Sequence, residues 1–511
     1  MKRLVVCSDG TWNNPEQEDN GIPAPTNVFK IYNAIAADDD GTVQLRYYHP
    51  GVGGEGGIFD KIAGGALGVG ISRHIKSAFH WLGTNYDVGD DIYLYGFSRG
   101  AFTARSIGGF LSRGLLDLRG LGPKDAWQRV DAAFDAYRHP GNDRSWAEND
   151  WAFFHGADAT PVKFVGVWDT VGALGIPDDL EILNFFEKPD NWRFHDTNLG
   201  ANVSTARHAM AVDEVRSSFT ITRWANAQAH PDAKELWFPG VHSDVGGGYA
   251  ETGLSDVALQ WMMEESASTG LCFRPGVEAG IHPNPIAAMH NSYKGAFAKL
   301  RSRPRNVNAM VTSEGGSFHA STLARQQASP IAYPPYHPTT ILEVGERHEV
   351  DGFADTHWNA TGLYLEAGHE YTFSAAGEWQ DSKDNCDWRG TEDGKLTAGD
   401  MVRAASSFLG NFEKLFEKMS KNESTDFLGT KRCEDLNWFT LVGAIANDSG
   451  RASAVGNDGS PTPHQFVALV EHETTPLRIE SPGYLYCFPN DVWSLYGNNH
   501  GSVRLTVTRE A

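Results

Sequence analysis

Asp91-Ile92-Tyr93-Leu94-Tyr95-Gly96-Phe97-Ser98-Arg99-Gly100, running on into Ala101-Phe102-Thr103-Ala104-Arg105, is the stretch that decides the fold. Its short aromatic and β-branched run reads as a buried strand. The run ends in G-x-S-x-G and meets a helix-forming stretch. The glycines leave no Cβ where the strand and helix backbones reverse and nearly touch. The serine is therefore forced into a strained turn with its Oγ above the sheet edge. N–H groups opening the helix can receive developing negative charge. G-x-S-x-G alone is a weak signal in a chain with 55 glycines. The strand before it and the helix after it make Ser98 a nucleophile candidate.

Working outward, similar apolar runs at Arg3–Cys7, Val43–Tyr48, Val162–Trp168 and Leu236–Val241 predict further strands. Helical spacing covers Ile71–Leu82 and Phe102–Leu111. Such alternation implies an α/β-hydrolase-like, mostly parallel sheet with flanking helices. A serine hydroxyl needs a base and an orienting carboxylate, both expected downstream of it in this fold. His242 follows Leu236-Trp237-Phe238-Pro239-Gly240-Val241 and enters a glycine-rich loop, so it is the expected base. His208 and His230 lie in polar stretches. Asp169, at the end of Val162–Trp168, is the expected acid, because such sites assemble at a sheet's carboxyl edge. Asp213 and Asp244 are the alternatives. The helical pattern around Asp213 favours a structural ion pair, and Asp244 is better suited to shaping the His242 loop. The oxyanion hole takes the Arg99 N–H and a second donor from Ser8-Asp9-Gly10-Thr11-Trp12-Asn13, with Gly10 or Thr11 the candidate. Asp9 organises that loop. Gly51–Gly57 lacks the Lys-Ser ending of a phosphate loop and is read as the rim of the site.

At 511 residues the chain is longer than one ordinary domain needs. Ser329–Pro338 carries four prolines and reads as an extended linker or surface strap. The expected division is a catalytic domain over 1–328, a Pro-rich linker over 329–340 and a second domain over 341–511. With 43 basic and 65 acidic residues the formal net charge is −22, which argues against nucleic acid as a partner. No run of about 18 apolar residues predicts a membrane-spanning helix. The apolar run near Met1 is too short for a Sec signal, so synthesis and folding in the cytoplasm are expected. Five scattered cysteines make no disulfide scaffold.

Beyond the strap, Leu363–Ala375, Trp438–Ile445, Gln465–Glu471, Gly483–Pro489 and Gly501–Thr508 read as strands of an antiparallel β-sandwich. A helical insert near 391–430 interrupts them. Its apolar stripe (Met401, Ala405, Phe408, Phe412, Leu415, Phe416, Met419) is expected to pack on the neighbouring domain. Asp491 to Asn499 gathers a carboxylate, amides and turn carbonyls, an all-oxygen set suited to Ca²⁺. Tight turns favour the same residues without a metal, and on spacing alone that reading wins.

Two resemblances add to this. Asp9-Gly10-Thr11-Trp12-Asn13, Gly96-Phe97-Ser98-Arg99-Gly100-Ala101, Val167-Trp168-Asp169-Thr170-Val171-Gly172 and Pro239-Gly240-Val241-His242-Ser243-Asp244-Val245-Gly246-Gly247 together resemble the α/β-hydrolase domain of bacterial type VI secretion lipase effectors. That resemblance implies a phospholipase with a Ser98–Asp169–His242 triad and no cofactor for catalysis. It implies delivery by the secretion apparatus from the bacterial cytoplasm into a target cell's periplasm, with an immunity protein as counterpart. Asn490-Asp491, Tyr496-Gly497-Asn498-Asn499 and Gly501-Ser502, with Ala375-Ala376-Gly377-Glu378-Trp379 upstream, resemble the PA-I-type galactophilic lectins. This implies Ca²⁺ held by Asp491, Asn498 and Asn499 side chains, the Leu495 carbonyl and a carbonyl near Asp381, with glycan hydroxyls completing the shell. The expected function is a serine lipolytic hydrolase acting on lipid or acyl-ester substrates. The rival readings are an esterase for acylated glycans and a calcium-dependent carbohydrate-binding protein on an inactive hydrolase scaffold.

Overall fold

Alternation along two strands sets up the first layer. Leu4, Val6, Ile92 and Leu94 are buried on one face of a sheet, and Val5, Cys7, Tyr93 and Tyr95 on the other. A strand buried on both faces reads as a continuous apolar run, as these do. The computed structural model describes all residues except 11–12, 52–65, 140–150, 156–157, 173–196, 296, 300, 312–316, 337–338, 382–383, 392–430, 434 and 448–460.

The strands are β1 (Arg3–Ser8), β2 (Thr42–His49), β3 (Asp91–Phe97), β4 (Val162–Trp168), β5 (Val203–Ala211) and β6 (Ala233–Phe238). They run parallel in the order β2-β1-β3-β4-β5-β6, and Asp38–Asp39 pairs antiparallel on the outer edge of β2. Among the described residues the α-helices are α1 (Asn27–Ala34), α2 (Ala66–Asn85), α3 (Arg99–Leu111), α4 (Pro123–Arg138), α5 (His242–Gly246), α6 (Gly253–Ala267) and α7 (Ala320–Gln327). Phe79, Leu82, Ile107, Phe110 and Val130 bring α2, α3 and α4 onto one face, while Val28, Ile31, Leu259 and Met262 bring α1 and α6 onto the other. Each such side chain contributes roughly 1.5–3 kcal/mol by leaving water. From β1 the chain steps to β2 on one side and returns to β3 on the other. The loops after β1 and β3 therefore diverge at the sheet's carboxyl edge, where α/β sheets hold ligands.

Beyond α7 the described strands are β7 (Arg347–Phe353), β8 (Asn359–Leu365), β9 (Glu370–Asp381), β10 (Asp384–Cys386), β11 (Leu441–Asn447), β12 (Gln465–Ala468), β13 (Leu477–Arg478), β14 (Gly483–Pro489) and β15 (Asn499–Arg509). They form two separate antiparallel sheets, β7-β15-β9-β10 with β13 on β9, and β8-β14-β11-β12. Leu363, Leu441 and Leu485 from one sheet and Phe373, Trp379 and Leu505 from the other meet in one core.

Three expectations change. The single strand expected over Leu363–Ala375 is two, β8 and β9, separated by a turn at Gly368 with φ +87°. Strands β5, β7, β10 and β13 lie outside the expected runs. Asp213 lies on the loop following β5, outside any helix. The helical insert expected near 391–430 falls outside the described residues, as do Thr11 and most of Gly51–Gly57. The proline strap is tied down: Met289 N–H donates to the Tyr333 carbonyl at 3.1 Å and Tyr336 OH to Asp213 at 2.5 Å. All five cysteines are free thiols. No helix among the described residues is long and apolar enough to cross a membrane.

Candidate active site

Ser98 sits between β3 and α3 at φ 57°, ψ −124°. A non-glycine residue held there costs about 1–3 kcal/mol. Close approach to the end of β1 enforces it. A Cβ on Gly100 would lie 2.1 Å from the Ser8 carbonyl oxygen, and one on Gly10 would lie 3.1 Å from Ser98 Cβ. The loop after β1 thus borders the serine. Within it Asp9 is buried and accepts from Thr26 Oγ1 (2.7 Å), Tyr48 OH (2.8 Å) and the Gly10 N–H (2.8 Å). Burial outweighs these donors and pushes the Asp9 carboxyl up to about 6. The Gly10 N–H, a candidate oxyanion donor, is directed at Asp9 Oδ1 here.

Asp169, just past β4, is fully buried and carries φ +33°. Its N–H donates to the Ala209 carbonyl (2.7 Å), and its Oδ1 accepts from the Ala211 N–H (2.9 Å), so β5 holds the residue from one side. Its Oδ2 lies 2.6 Å from His242 Nδ1 and 3.0 Å from Arg305 Nη2. Burial opposes ionisation, but Arg305 and the His242 hydrogen bond override it and hold the carboxyl below its ordinary range. The acid is ionised, so His242 Nδ1 carries the proton that it donates, and Nε2 is left as the basic nitrogen.

His242 opens α5 and is also buried. Phe97, the residue before Ser98, lies against its ring at a centroid distance of 4.5 Å, and Phe219 meets it edge-on at 4.8 Å. Burial lowers its pKa, and Asp169 only partly offsets this. Glu214 accepts from the His242 N–H (3.2 Å), from Ser292 Oγ (3.0 Å) and from Arg216, whose guanidinium covers the Phe219 ring at 3.6 Å. Behind Asp169, His208 Nε2 accepts from the Thr170 N–H (3.1 Å) while Nδ1 faces Glu235 (3.1 Å).

The alternative acids point elsewhere. Asp213 Oδ2 accepts from the Gly240 N–H (2.7 Å) and from Tyr336. Asp244 accepts from the Val241 N–H (3.1 Å) and pairs with His290 Nδ1 (2.6 Å). Arg305 and Glu214 carry no signal in the sequence, and His208, set aside there for its polar surroundings, is buried in β5. None stands in a motif, and each acts through a partner distant in the chain.

In the β-rich half, Asp491 and Asn499 lie side by side, with Asn499 Nδ2 donating to Asp491 Oδ2 at 2.8 Å. The β9–β15 register sets Asp381 opposite Asn499. Leu495 and Asn498 lie on the short 3₁₀ turn Trp493–Asn498 between them. Asn499 Oδ1 is a buried acceptor with no donor. Among the described residues no group of three or more His, Cys, Asp or Glu side chains is disposed to hold a metal ion.

The uncharacterized protein YEL023C of Saccharomyces cerevisiae is 24% identical over 439 aligned residues, covering 58% of this chain and 61% of its own. A crystal structure of an uncharacterized protein from Pseudomonas aeruginosa aligns with 19% identity and a TM-score of 0.36, over 56% of this chain and 49% of that one. A structure of the Tle1 effector bound to the VgrG spike from the type 6 secretion system aligns with 20% identity and a TM-score of 0.29, over 49% and 52%. The chain thus spans about half to three-fifths of the length of these relatives. The family model described as the catalytic domain of Tle1-like type VI secretion phospholipase effectors matches residues 2–265, from β1 through α6. The match takes in Ser98, Asp169 and His242 and more than half of the sequence, and by it the chain belongs to the Tle1-like phospholipase effector family.

Proposed function

We propose that this chain is a serine lipolytic hydrolase of phospholipase or ester-lipase type, working through Ser98, His242 and Asp169. The observation that carries the reading is the buried 2.6 Å contact between His242 Nδ1 and Asp169 Oδ2, with the neighbour of a strained Ser98 packed on the same imidazole. Ser98 Oγ attacks the acyl carbonyl carbon and its proton passes to His242 Nε2. The oxyanion is met by the Arg99 N–H and the Gly10–Thr11 loop, where an arriving oxygen competes with Asp9 for the Gly10 N–H. The ester C–O bond breaks and His242 returns the proton to the leaving alkoxide. Water then adds to the acyl-serine and gives its proton to His242; the acyl C–Oγ bond breaks, His242 returns that proton to Ser98 Oγ, and the carboxylic acid leaves.

On this reading residues 1–328 are the catalytic domain, 329–340 a linker and 341–511 a lectin-like β-sandwich whose faces are the two antiparallel sheets. Their common core supports that division. Family membership supports carriage by the type VI apparatus into a target cell, with an immunity protein as counterpart. A Ca²⁺ ion fits the orphaned Asn499 oxygen beside Asp491. The ion would be held by Asp491, Asn498 and Asn499 with carbonyls of Leu495 and near Asp381, and would supply coordination for glycan hydroxyls.

Ser98→Ala, assayed on soluble acyl esters, phospholipid vesicles and acetylated polysaccharides, tests the reading. Wild type is expected to cleave the esters and vesicles, and the variant to lose at least about a thousandfold in turnover with its fold intact. Unchanged turnover removes the mechanism. Cleavage confined to polysaccharide transfers the site to glycan esters.

A further inference from the structure

We infer that Arg305 is a positioning residue for this site: its guanidinium fixes the Asp169 carboxylate against His242, from a point beyond residue 265 where the family match ends. The inference rests on the triad reading above.

Asp169 Oδ2 is shared between His242 Nδ1 and Arg305 Nη2, and Oδ1 is occupied by the Ala211 N–H. The same Arg305 Nη2 donates to the Phe219 carbonyl (2.9 Å), and Nε donates to the Glu214 carbonyl (3.3 Å). One planar fork therefore joins the acid to the 214–219 segment. That segment's Phe219 ring packs on the imidazole, and its Glu214 side chain receives the His242 N–H. Lysine offers no such fork. Arg305 is itself buried, so its charge is little screened by solvent.

The other charged groups around the site have their own partners. Glu214 is paired with Arg216, Glu235 faces His208 and Arg223, Asp244 pairs with His290, and Arg105 donates to the Thr222 and Arg223 carbonyls. Among the described residues Arg305 is the guanidinium in direct contact with Asp169. A buried carboxylate left with only a neutral imidazole gains proton affinity, and while still ionised it holds an imidazolium more firmly. Both effects protonate the Asp169–His242 pair at a higher pH. Loss of the Arg305 charge must therefore move the acidic limb of kcat/KM upward. A merely structural role would lower activity without moving that limb.

The experiment records kcat/KM against pH on a soluble short-chain acyl ester for wild type, R305K, R305Q and R305M, with active sites counted by fluorophosphonate titration. S98A is run in parallel. R305M and R305Q are expected to raise the midpoint of the acidic limb by about one pH unit. Their kcat is expected to fall about tenfold or more with KM little changed, and R305K to keep the wild-type midpoint. Where R305M does not fold, the R305Q–R305K comparison asks the same question. An unmoved midpoint in the neutral variants, or an equal displacement in R305K, overturns the inference while S98A inactivity leaves the triad standing. Hydrolysis retained in S98A removes the triad itself.

Discussion

At the scale of residues, backbone strain and burial coincide at two residues where the chemistry is proposed. Ser98 and Asp169 both hold positive φ, and each is pinned by backbone bonds from the next strand over: Ser98 N–H to the Trp168 carbonyl, Asp169 N–H to the Ala209 carbonyl. The parallel sheet thus passes its registration directly to the two side chains. Ser98 was legible because G-x-S-x-G interrupts an apolar run, and Asp169 because it ends one. Arg305 was not. It stands in Arg301-Ser302-Arg303-Pro304-Arg305, which carries no strand or helix period. Only the fold brings it against a carboxylate 136 residues away. Gly10 was legible as a residue that must approach the serine, but not that Asp9 would take its N–H.

At the scale of elements, the β3–α3 elbow depends on two glycines of one helix in opposite ways. A Cβ at Gly100 meets the Ser8 carbonyl oxygen at 2.1 Å, a backbone atom that cannot yield, whereas at Gly108 the nearest atom is Leu94 Cδ1 at an ordinary 3.7 Å. Gly100→Ala is expected to cost about 3 kcal/mol or more, or to prevent soluble expression. Gly108→Ala should stay within about 1 kcal/mol of wild type or stabilise, because alanine favours the helix. Chemical denaturation of the pair reads the difference, and equal stabilities would contradict the elbow's close packing. Strand β5 escaped notice for a physical reason. Its Arg207 and His208 look unsuited to an internal strand, yet they are buried against Asp232, Glu265 and Glu235. β7 escaped because it is a polar edge strand, Arg347-His348-Glu349-Val350-Asp351-Gly352-Phe353. Leu363–Ala375 merged two strands because both are apolar on either side of a short turn.

At the scale of the whole molecule, the two halves are joined by specific bonds. Trp358 Nε1 donates to the Ser302 carbonyl at 3.1 Å, and Tyr484 OH bonds the Met310 N–H (2.8 Å) and Thr339 Oγ1 (2.6 Å). Ser302 lies three residues from Arg305, so the β-rich half braces the segment that carries the proposed clamp. If the lectin-like reading of that half holds, millimolar Ca²⁺ should raise the melting temperature of chelator-treated full-length protein, and Asp491→Asn should abolish the increment. An identical melt with and without Ca²⁺ would leave Asp491 and Asn499 as a turn held by their own hydrogen bond. The central claim is that one imidazole activates one serine, and the most direct measurement is fluorophosphonate labelling of the intact chain, with the adduct located by peptide mass spectrometry. A single adduct on Ser98 that is lost in His242→Ala is expected. Labelling elsewhere, or undiminished Ser98 labelling without His242, would contradict it.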